Sequence, residues 1–424
     1  MTDFIKEMEW RGLLHSATPG VKEYLNSKQV TGYIGFDPTA SSLHVGSLLP
    51  IMGLVHLQRA GHTPIAIAGG GTGMIGDPSG KAAERRLLSN EDIENNLVGI
   101  KAQLSKFLDF NANNNAAVLV NNADWLNAIS MMEFLRDIGK HFSVNEMMAK
   151  DSVKSRFGTE QGISFTEFSY SLLQSLDFLE LYDRYNCTLQ MGGSDQWGNI
   201  VSGIDLVRRK RSVDVHGIVF HLITTSSGVK FGKTESGTVW LDPQMTSPYR
   251  FYQFWYNTDD KDVLRYLKFF TLLSAEKISE LNSLLSIAPE KRDAQTVLAQ
   301  EVTRNVHGDS ALDQAIRASK IFFGGEIRGV SEQNLLDIFA DVPSVELTRD
   351  TLSGKGMLLL DLLVHTGIAK SKSDARRAIQ GGGIYLNNVR VAEVEKLIST
   401  NETILGKFLV LCKGAKNYFV VRII

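Results

Sequence analysis

Between Thr31 and Asp77 the chain alternates short apolar runs with an apolar segment of helical period. Tyr33-Ile34-Gly35-Phe36 and Pro64 to Ala68 read as strands, and Gly46 to Ala60 between them as a helix. Glu91 to Leu108 has the spacing of an amphipathic helix, and Ala117-Val118-Leu119-Val120 is a further buried strand. Strands alternating with helices in this way predict a parallel sheet with helices on both faces, the α/β class. A long helix, Thr166 to Tyr185, leads into Thr188-Leu189-Gln190-Met191 and a glycine-rich turn. After Pro248 the pattern becomes helical, from Phe251 to Phe323, with few β-branched runs. Ala340 to Gly356 has Pro343, Ser353, Gly354 and Gly356 without periodicity and reads as a linker. Two short helices followed by strands come after it. The expected domains are therefore an α/β domain over 1–247, a helical domain over 248–339, a linker over 340–356 and a small α+β module over 357–424.

Composition narrows the class. A chain of 424 residues, 43% hydrophobic and 22% charged, has the balance of a soluble globular protein of two or three domains. No apolar run approaches the roughly 20 residues of a membrane span. The first residues mix charges and show no secretory signal. Cys187 and Cys412 lie too far apart in sequence for a disulfide framework or a zinc knuckle, so a cytoplasmic protein without a structural metal is expected. The charge is uneven. Residues 356–424 hold ten Lys and Arg against five Asp and Glu, a +5 tail on a chain of net −2, so the remainder carries −7. A basic module on an acidic body fits a polyanion partner as well as it fits a solvated small domain.

Five segments carry candidate chemistry. Asp37-Pro38-Thr39-Ala40-Ser41-Ser42-Leu43-His44-Val45-Gly46-Ser47 lies between a strand and a helix, where unpaired N–H groups and a positive dipole end suit a triphosphate. Thr39 and His44 can donate to phosphate oxygens there, although one histidine in a βα loop is also ordinary. Gly71-Thr72-Gly73-Met74-Ile75-Gly76 has the form of a dinucleotide fingerprint, but Asp77-Pro78-Ser79-Gly80 behind it breaks the helix that fingerprint needs. It reads instead as a turn delivering Asp77 to the strand ends, and Gly80-Lys81 is no P-loop. Tyr170, Gln174 and Asp177, spaced four and three apart, form a polar stripe on an otherwise apolar helix. The stripe fits a face turned to water, or a pocket for an amino acid. Gln190 to Asn199 places Ser194 and Asp195 to cap the next helix, and clusters Asp195 and Gln196 where ribose hydroxyls bind in such sheets. Lys230-Phe231-Gly232-Lys233-Thr234, in a Gly- and Ser-rich loop, offers two ammonium groups that could close over a pyrophosphate, or simply a solvated pair.

Together these segments resemble the class I aminoacyl-tRNA synthetases, and among them the bacterial tyrosyl branch, over nearly the whole chain. Gly35 to Thr39 with His44-Val45-Gly46 looks like the first ATP signature, and Lys230 to Thr234 like the mobile lysine loop of the second. Gly192 to Asn199 and Phe165 to Tyr170 are long, specific matches. The resemblance implies a Rossmann-like catalytic domain that activates L-tyrosine with ATP and transfers it to tRNA(Tyr). It implies that Tyr33 and Asp177 contact the substrate hydroxyl, that Asp77, Tyr170 and Gln174 hold its ammonium, and that Gln196 lies beside the reacting carboxylate. Gly46, Ser47, Gly193, Asp195 and Lys233 would bind ATP, Gly193 and Asp195 at the ribose. Thr39, His44, Lys230, Lys233 and Thr234 would stabilise the leaving pyrophosphate, with Mg2+ delivered on the ATP. Ser47 stands where the family has a second histidine, and Ile34 where a small polar residue reaches the ribose.

Leu358 to Asn388 resembles an S4-type RNA-binding domain, which would set Lys370, Lys372, Arg376 and Arg377 against tRNA phosphates. Arg208-Arg209-Lys210-Arg211 is a second basic run that fits the acceptor arm or a solvated helix end. The family further implies a homodimer and no membrane. Tryptophanyl synthetases, another nucleotidyltransferase with the same H-x-G turn, and an idle RNA-binding scaffold are the competing readings. Asp177 with Tyr33 and the S4-like tail favour tyrosine.

Overall fold

The computed structural model describes residues 3–79, 88–150, 153–154, 156, 162–226, 231–234, 237–322, 325, 327, 329–340, 342–414 and 417–424, the side chains of 233, 234 and 322 excepted. Packing divides the chain into two units, Met1–Thr246 with Trp255–Val306, and Ser247–Phe254 with His307–Ile424. The helical stretch expected over 248–339 is thus shared between the units rather than standing alone.

The first unit is built on six strands: β1 (Leu14–Ala17), β2 (Thr31–Phe36), β3 (Thr63–Ala68), β4 (Val118–Asn121), β5 (Cys187–Gly193) and β6 (His216–Phe220). Their order is β1-β6-β5-β2-β3-β4, and every pair is parallel except β1 with β6. Two short strands, β7 (Lys233–Thr234) and β8 (Gly237–Thr238), pair apart from that sheet. Pro64 to Ala68 is buried along its whole length, as a strand covered on both faces by helices must be. The chain steps outward from β2 to β3 and β4, then crosses back to β5 on the other side of β2. That reversal leaves a crevice at the carboxyl ends of β2 and β5, where ligands of doubly wound sheets bind.

The Phe165–Tyr185 helix makes the return crossing. Ser164 starts it by accepting a hydrogen bond from the Glu167 amide at 3.2 Å, and Asn186 ends it in the left-handed region at φ 50°. Phe178, Leu179 and Leu181 bury one side of it against Tyr33, Ile65 and Ile67 of the sheet. The helix expected over Gly46 to Ala60 runs from Leu48 to Arg59, after a 3-10 turn at Val45–Ser47. The one expected to end at Leu108 stops at Leu104. Buried Arg11 ties the Phe4–Arg11 helix to the end of the Asp260–Phe270 helix, donating to the carbonyls of Lys268, Thr271 and Leu273 and to Glu7. Such a guanidinium is tolerable in the interior because its donors are satisfied.

The second unit carries β9 (Ser344–Leu347), β10 (Met357–Leu358), β11 (Ile384–Leu386), β12 (Val389–Arg390), β13 (Leu397–Ile398), β14 (Phe408–Lys413) and β15 (Asn417–Ile423). Five of them form a sheet ordered β12-β11-β14-β15-β9, and β10 pairs with β13 separately. Strand β9 lies inside the stretch expected as a linker. It pairs in parallel with β15, a partner more than seventy residues downstream that no local pattern reveals. The Leu359–His365 and Lys372–Gln380 helices pack through Leu359, Leu362, Leu363, Ala375 and Ile379 into this unit's core.

Candidate active site

At the crevice lies a cavity of about 350 Å³. Twelve of the residues singled out from the sequence line it: Tyr33, Thr39, His44, Gly46, Ser47, Asp77, Tyr170, Gln174, Asp177, Gly193, Asp195 and Gln196. They come from the ends of β2, β3 and β5 and from one face of the Phe165–Tyr185 helix. The polar stripe on that helix therefore faces the cavity and not water, with Tyr170 and Asp177 buried.

Two hydrogen-bonded chains shape the walls. In one, Tyr170 Oη donates to Asp37 Oδ2 at 3.1 Å, and Thr72 Oγ1 donates to Asp37 Oδ1 at 3.0 Å. Asn122 Nδ2 reaches both Thr72 Oγ1 and Asp177 Oδ2 at 3.0 Å, and Trp125 Nε1 donates to Asp177 Oδ1 at 2.7 Å. In the other, Gln196 Nε2 donates to Asp77 Oδ2 at 2.7 Å, and Asn199 Nδ2 donates to Gln174 Oε1 at 3.0 Å. The Ser79 amide donates to Asp77 Oδ1 at 2.9 Å, so Asp77 is held from both sides. Fixed rotamers of this kind let a site present acceptors without reorganising them.

Burial dominates the electrostatics. It raises the Asp177 carboxyl to about 7, against the opposing hydrogen bonds from Asn122 and Trp125. It also pushes the Tyr33 and Tyr170 phenols well above their usual range, helped by Asp177 beside Tyr33 and by Asp37 beside Tyr170. Tyr33 Oη is buried and has no hydrogen-bond partner among the described residues. A buried hydroxyl left unpaired costs free energy that a ligand can recover.

Also lining the cavity, His44 begins the Val45–Ser47 turn with its Nδ1 accepting from the Gly46 amide at 3.0 Å. That bond assigns the ring proton to Nε2, which makes His44 a donor for an anion. Lys230 lies outside the described residues, as do the side chains of Lys233 and Thr234. The backbone of those last two residues forms β7, paired with β8. Gly232 binds this loop to the His44 turn: its carbonyl accepts from Val239, whose own carbonyl accepts from Val45. A Cβ on Gly232 would come within 2.8 Å of Val45 Cγ2. The adjoining Phe231 anchors in an aromatic cluster, stacked on Phe270 at 5.5 Å and edge-on to Tyr266 at 5.1 Å.

One expectation needs adjustment. Neither the Ser194–Gln196 turn nor the Trp197–Arg211 helix after it begins with a side-chain cap. The helix grows straight out of the turn, so Ser194 and Asp195 have no capping position to fill. Within Arg208 to Arg211, Arg208 pairs with Asp205, Arg211 with Asp183, and Arg209 donates to the His141 carbonyl. Arg208, Arg209 and Arg211 nonetheless stay exposed at the helix end, as the solvated-end reading expects. In the second unit Lys370, Lys372, Arg376 and Arg377 are all exposed on or before one helix, and Lys372 pairs with Asp361 at 2.5 Å.

Sequence reasoning quoted Asp37 and Thr72 only as parts of turns and passed over Asn122 and Trp125. The one signal for Asn122 was its place directly after a predicted parallel strand, the end at which such sheets bind ligands.

A family model described as tRNA synthetases class I (W and Y) matches residues 25–324, and one described as Tyrosine--tRNA ligase SYY-like C-terminal domain matches residues 334–421. The Tyrosine--tRNA ligase of Roseiflexus castenholzii is 56% identical over 424 residues, covering all of both chains. That of Opitutus terrae is 51% identical over 422 residues, 99% of each chain. Among solved structures, a C-terminally truncated mitochondrial tyrosyl-tRNA synthetase from Aspergillus nidulans superposes with a TM-score of 0.68 at 32% identity, over 76% of this chain and 95% of that one.

Proposed function

The chain belongs to the class I tRNA synthetases of the tryptophan and tyrosine family, and from that premise we propose that it activates L-tyrosine with ATP and esterifies it to tRNA(Tyr). The observation that carries the choice of amino acid is the buried Tyr33 hydroxyl, without a partner among the described residues, on the same wall as Asp177. A substrate phenol gives Tyr33 a partner and donates to the carboxylate. Phenylalanine would leave the buried Tyr33 hydroxyl stranded and forgo the bond to the carboxylate, a rule for which tyrosyl synthetases are themselves the standard example.

In this reading Asp77, Tyr170 and Gln174 receive the substrate ammonium, and Gln196, fixed on Asp77, lies beside the carboxylate. That carboxylate is the nucleophile on the α-phosphorus, so no general base is needed. Catalysis is then positioning plus stabilisation of the charge that builds on the pyrophosphate. His44 and Thr39, with Lys230, Lys233 and Thr234 from the lysine loop, meet that charge, while Gly46, Ser47, Gly193 and Asp195 hold the nucleotide. Magnesium carried on the triphosphate would neutralise part of its charge. Lys370, Lys372, Arg376 and Arg377 meet the tRNA backbone, and the active species is a cytoplasmic homodimer. Pyrophosphate exchange with each amino acid in turn tests the reading: exchange with tyrosine is expected, and exchange with tryptophan alone, or with none, would reject it.

A further inference from the structure

The segment from Asp37 to His44, which carries Thr39 and His44, has almost no regular structure of its own, so its shape is imposed by what packs on it. The Asn90–Leu104 helix contributes no residue to the cavity. It does present Asn96, Gly99 and Gln103 to that segment, at spacings of three and four that put them on one face. Asn96 Nδ2 donates to the Pro38 carbonyl at 2.9 Å. Gly99 meets the Ser41 carbonyl so closely that an added Cβ would sit 2.0 Å from its oxygen. Gln103 is buried, its Oε1 accepting from the Leu43 amide at 2.8 Å and its Nε2 donating to Ser42 Oγ at 2.9 Å. Ser42 Oγ in turn accepts from the Asp242 amide at 3.0 Å, tying in the stretch that follows the lysine loop.

We infer that Asn96, Gly99 and Gln103 are positioning residues for the nucleotide: one helix face that holds the 38–43 segment in register so that Thr39 and His44 meet the triphosphate. The contacts bear this out by their placement. They fall at Pro38, Ser41, Ser42 and Leu43, bracketing Thr39 on both sides and ending next to His44. None touches the wall formed by Tyr33, Tyr170 and Asp177. An amide whose two ends are both used on one loop fixes that loop's distance and its register together. The inference rests on the reading that this segment binds ATP.

The test compares full-length wild type with Gln103→Leu, Gly99→Ala, Asn96→Ala and a control, Leu97→Ala. Leu97 is on the same helix but packs against Ala68 and Ile93, away from the segment. Tyrosine and ATP affinities by equilibrium dialysis, tyrosine-dependent pyrophosphate exchange and melting temperature are read for each. Gln103→Leu and Gly99→Ala should lower kcat/KM for ATP by roughly 10- to 100-fold, the scale of an ångström-sized misplacement, with tyrosine affinity unchanged. Asn96→Ala, at a half-buried position, should move the same way by less. Leu97→Ala should lower the melting temperature without the selective ATP defect. The inference is overturned by wild-type ATP kinetics in Gln103→Leu and Gly99→Ala, by parallel loss of tyrosine and ATP affinity, or by the same ATP defect in Leu97→Ala. A wild type that exchanges with no amino acid rejects the functional reading instead, and the positioning role then stands or falls on whether the variants change ATP affinity.

Discussion

Replacing Asp177 with asparagine isolates the electrostatics of the buried wall. The carboxyl is 3% exposed, and burial lifts its pKa from the usual 3.8 to about 7. The folded chain therefore keeps this proton at pH values where the unfolded chain has lost it. Below the unfolded pKa both states are protonated and the group costs nothing; above the folded pKa both are ionised and the cost is complete. In between, the folded state binds one proton more, so stability falls as pH rises, by about 4 kcal/mol in all between pH 4 and 7. The substituted carboxamide cannot ionise. Its own penalty is an NH2 facing either Asn122 Nδ2 or Trp125 Nε1, about 1–3 kcal/mol and independent of pH. Relative to wild type, Asp177→Asn should thus gain roughly 3–4 kcal/mol between pH 4.5 and pH 8. Above neutrality it should be the more stable protein while binding tyrosine poorly. The difference between the two proteins must be measured, because His56 acts in the opposite sense. Burial, with Arg11 and Arg59 nearby, pushes His56 to about 3, so it makes stability rise with pH until its unfolded pKa is passed. That contribution cancels between variant and wild type. Equilibrium urea unfolding at half-unit pH steps is the assay. Parallel curves for the two proteins would refute the assignment of a raised Asp177 pKa.

Three further outcomes are expected. Tyr33→Phe removes a buried hydroxyl that has no partner among the described residues, which should stabilise the ligand-free protein by about 1–3 kcal/mol and raise its melting temperature. The same change should erode selection of tyrosine over phenylalanine in pyrophosphate exchange. Gly232→Ala places a Cβ at φ +82° and 2.8 Å from Val45 Cγ2, so the lysine loop must shift from the His44 turn. The burst of adenylate formation should slow while tyrosine affinity holds. Arg376→Ala combined with Arg377→Ala should weaken tRNA binding and flatten its salt dependence, by about 0.7–0.9 in the log–log slope for each lost phosphate contact, as filter binding over a salt series will read.

The amino-acid sequence by itself determined the local devices. The apolar run of Pro64 to Ala68, the polar stripe of Tyr170, Gln174 and Asp177, the H-x-G turn and the two-lysine segment are each properties of a dozen or fewer neighbouring residues, and each was legible without coordinates. What the stripe faces was not, because water and a pocket demand the same three side chains at the same spacing. Tertiary structure decided it by folding β4 beside β3, so that Asn122 and Trp125 reach a carboxylate more than fifty positions away. The same holds for β9, drawn from a patternless stretch by pairing with β15, and for the Asn96, Gly99 and Gln103 face, which looks like any half-buried helix until the segment it grips is known. Hydrogen bonding and helical period act over a few residues and leave their mark in sequence order. Burial, and the pKa shifts and unpaired groups it creates, depends on which distant segments exclude water together.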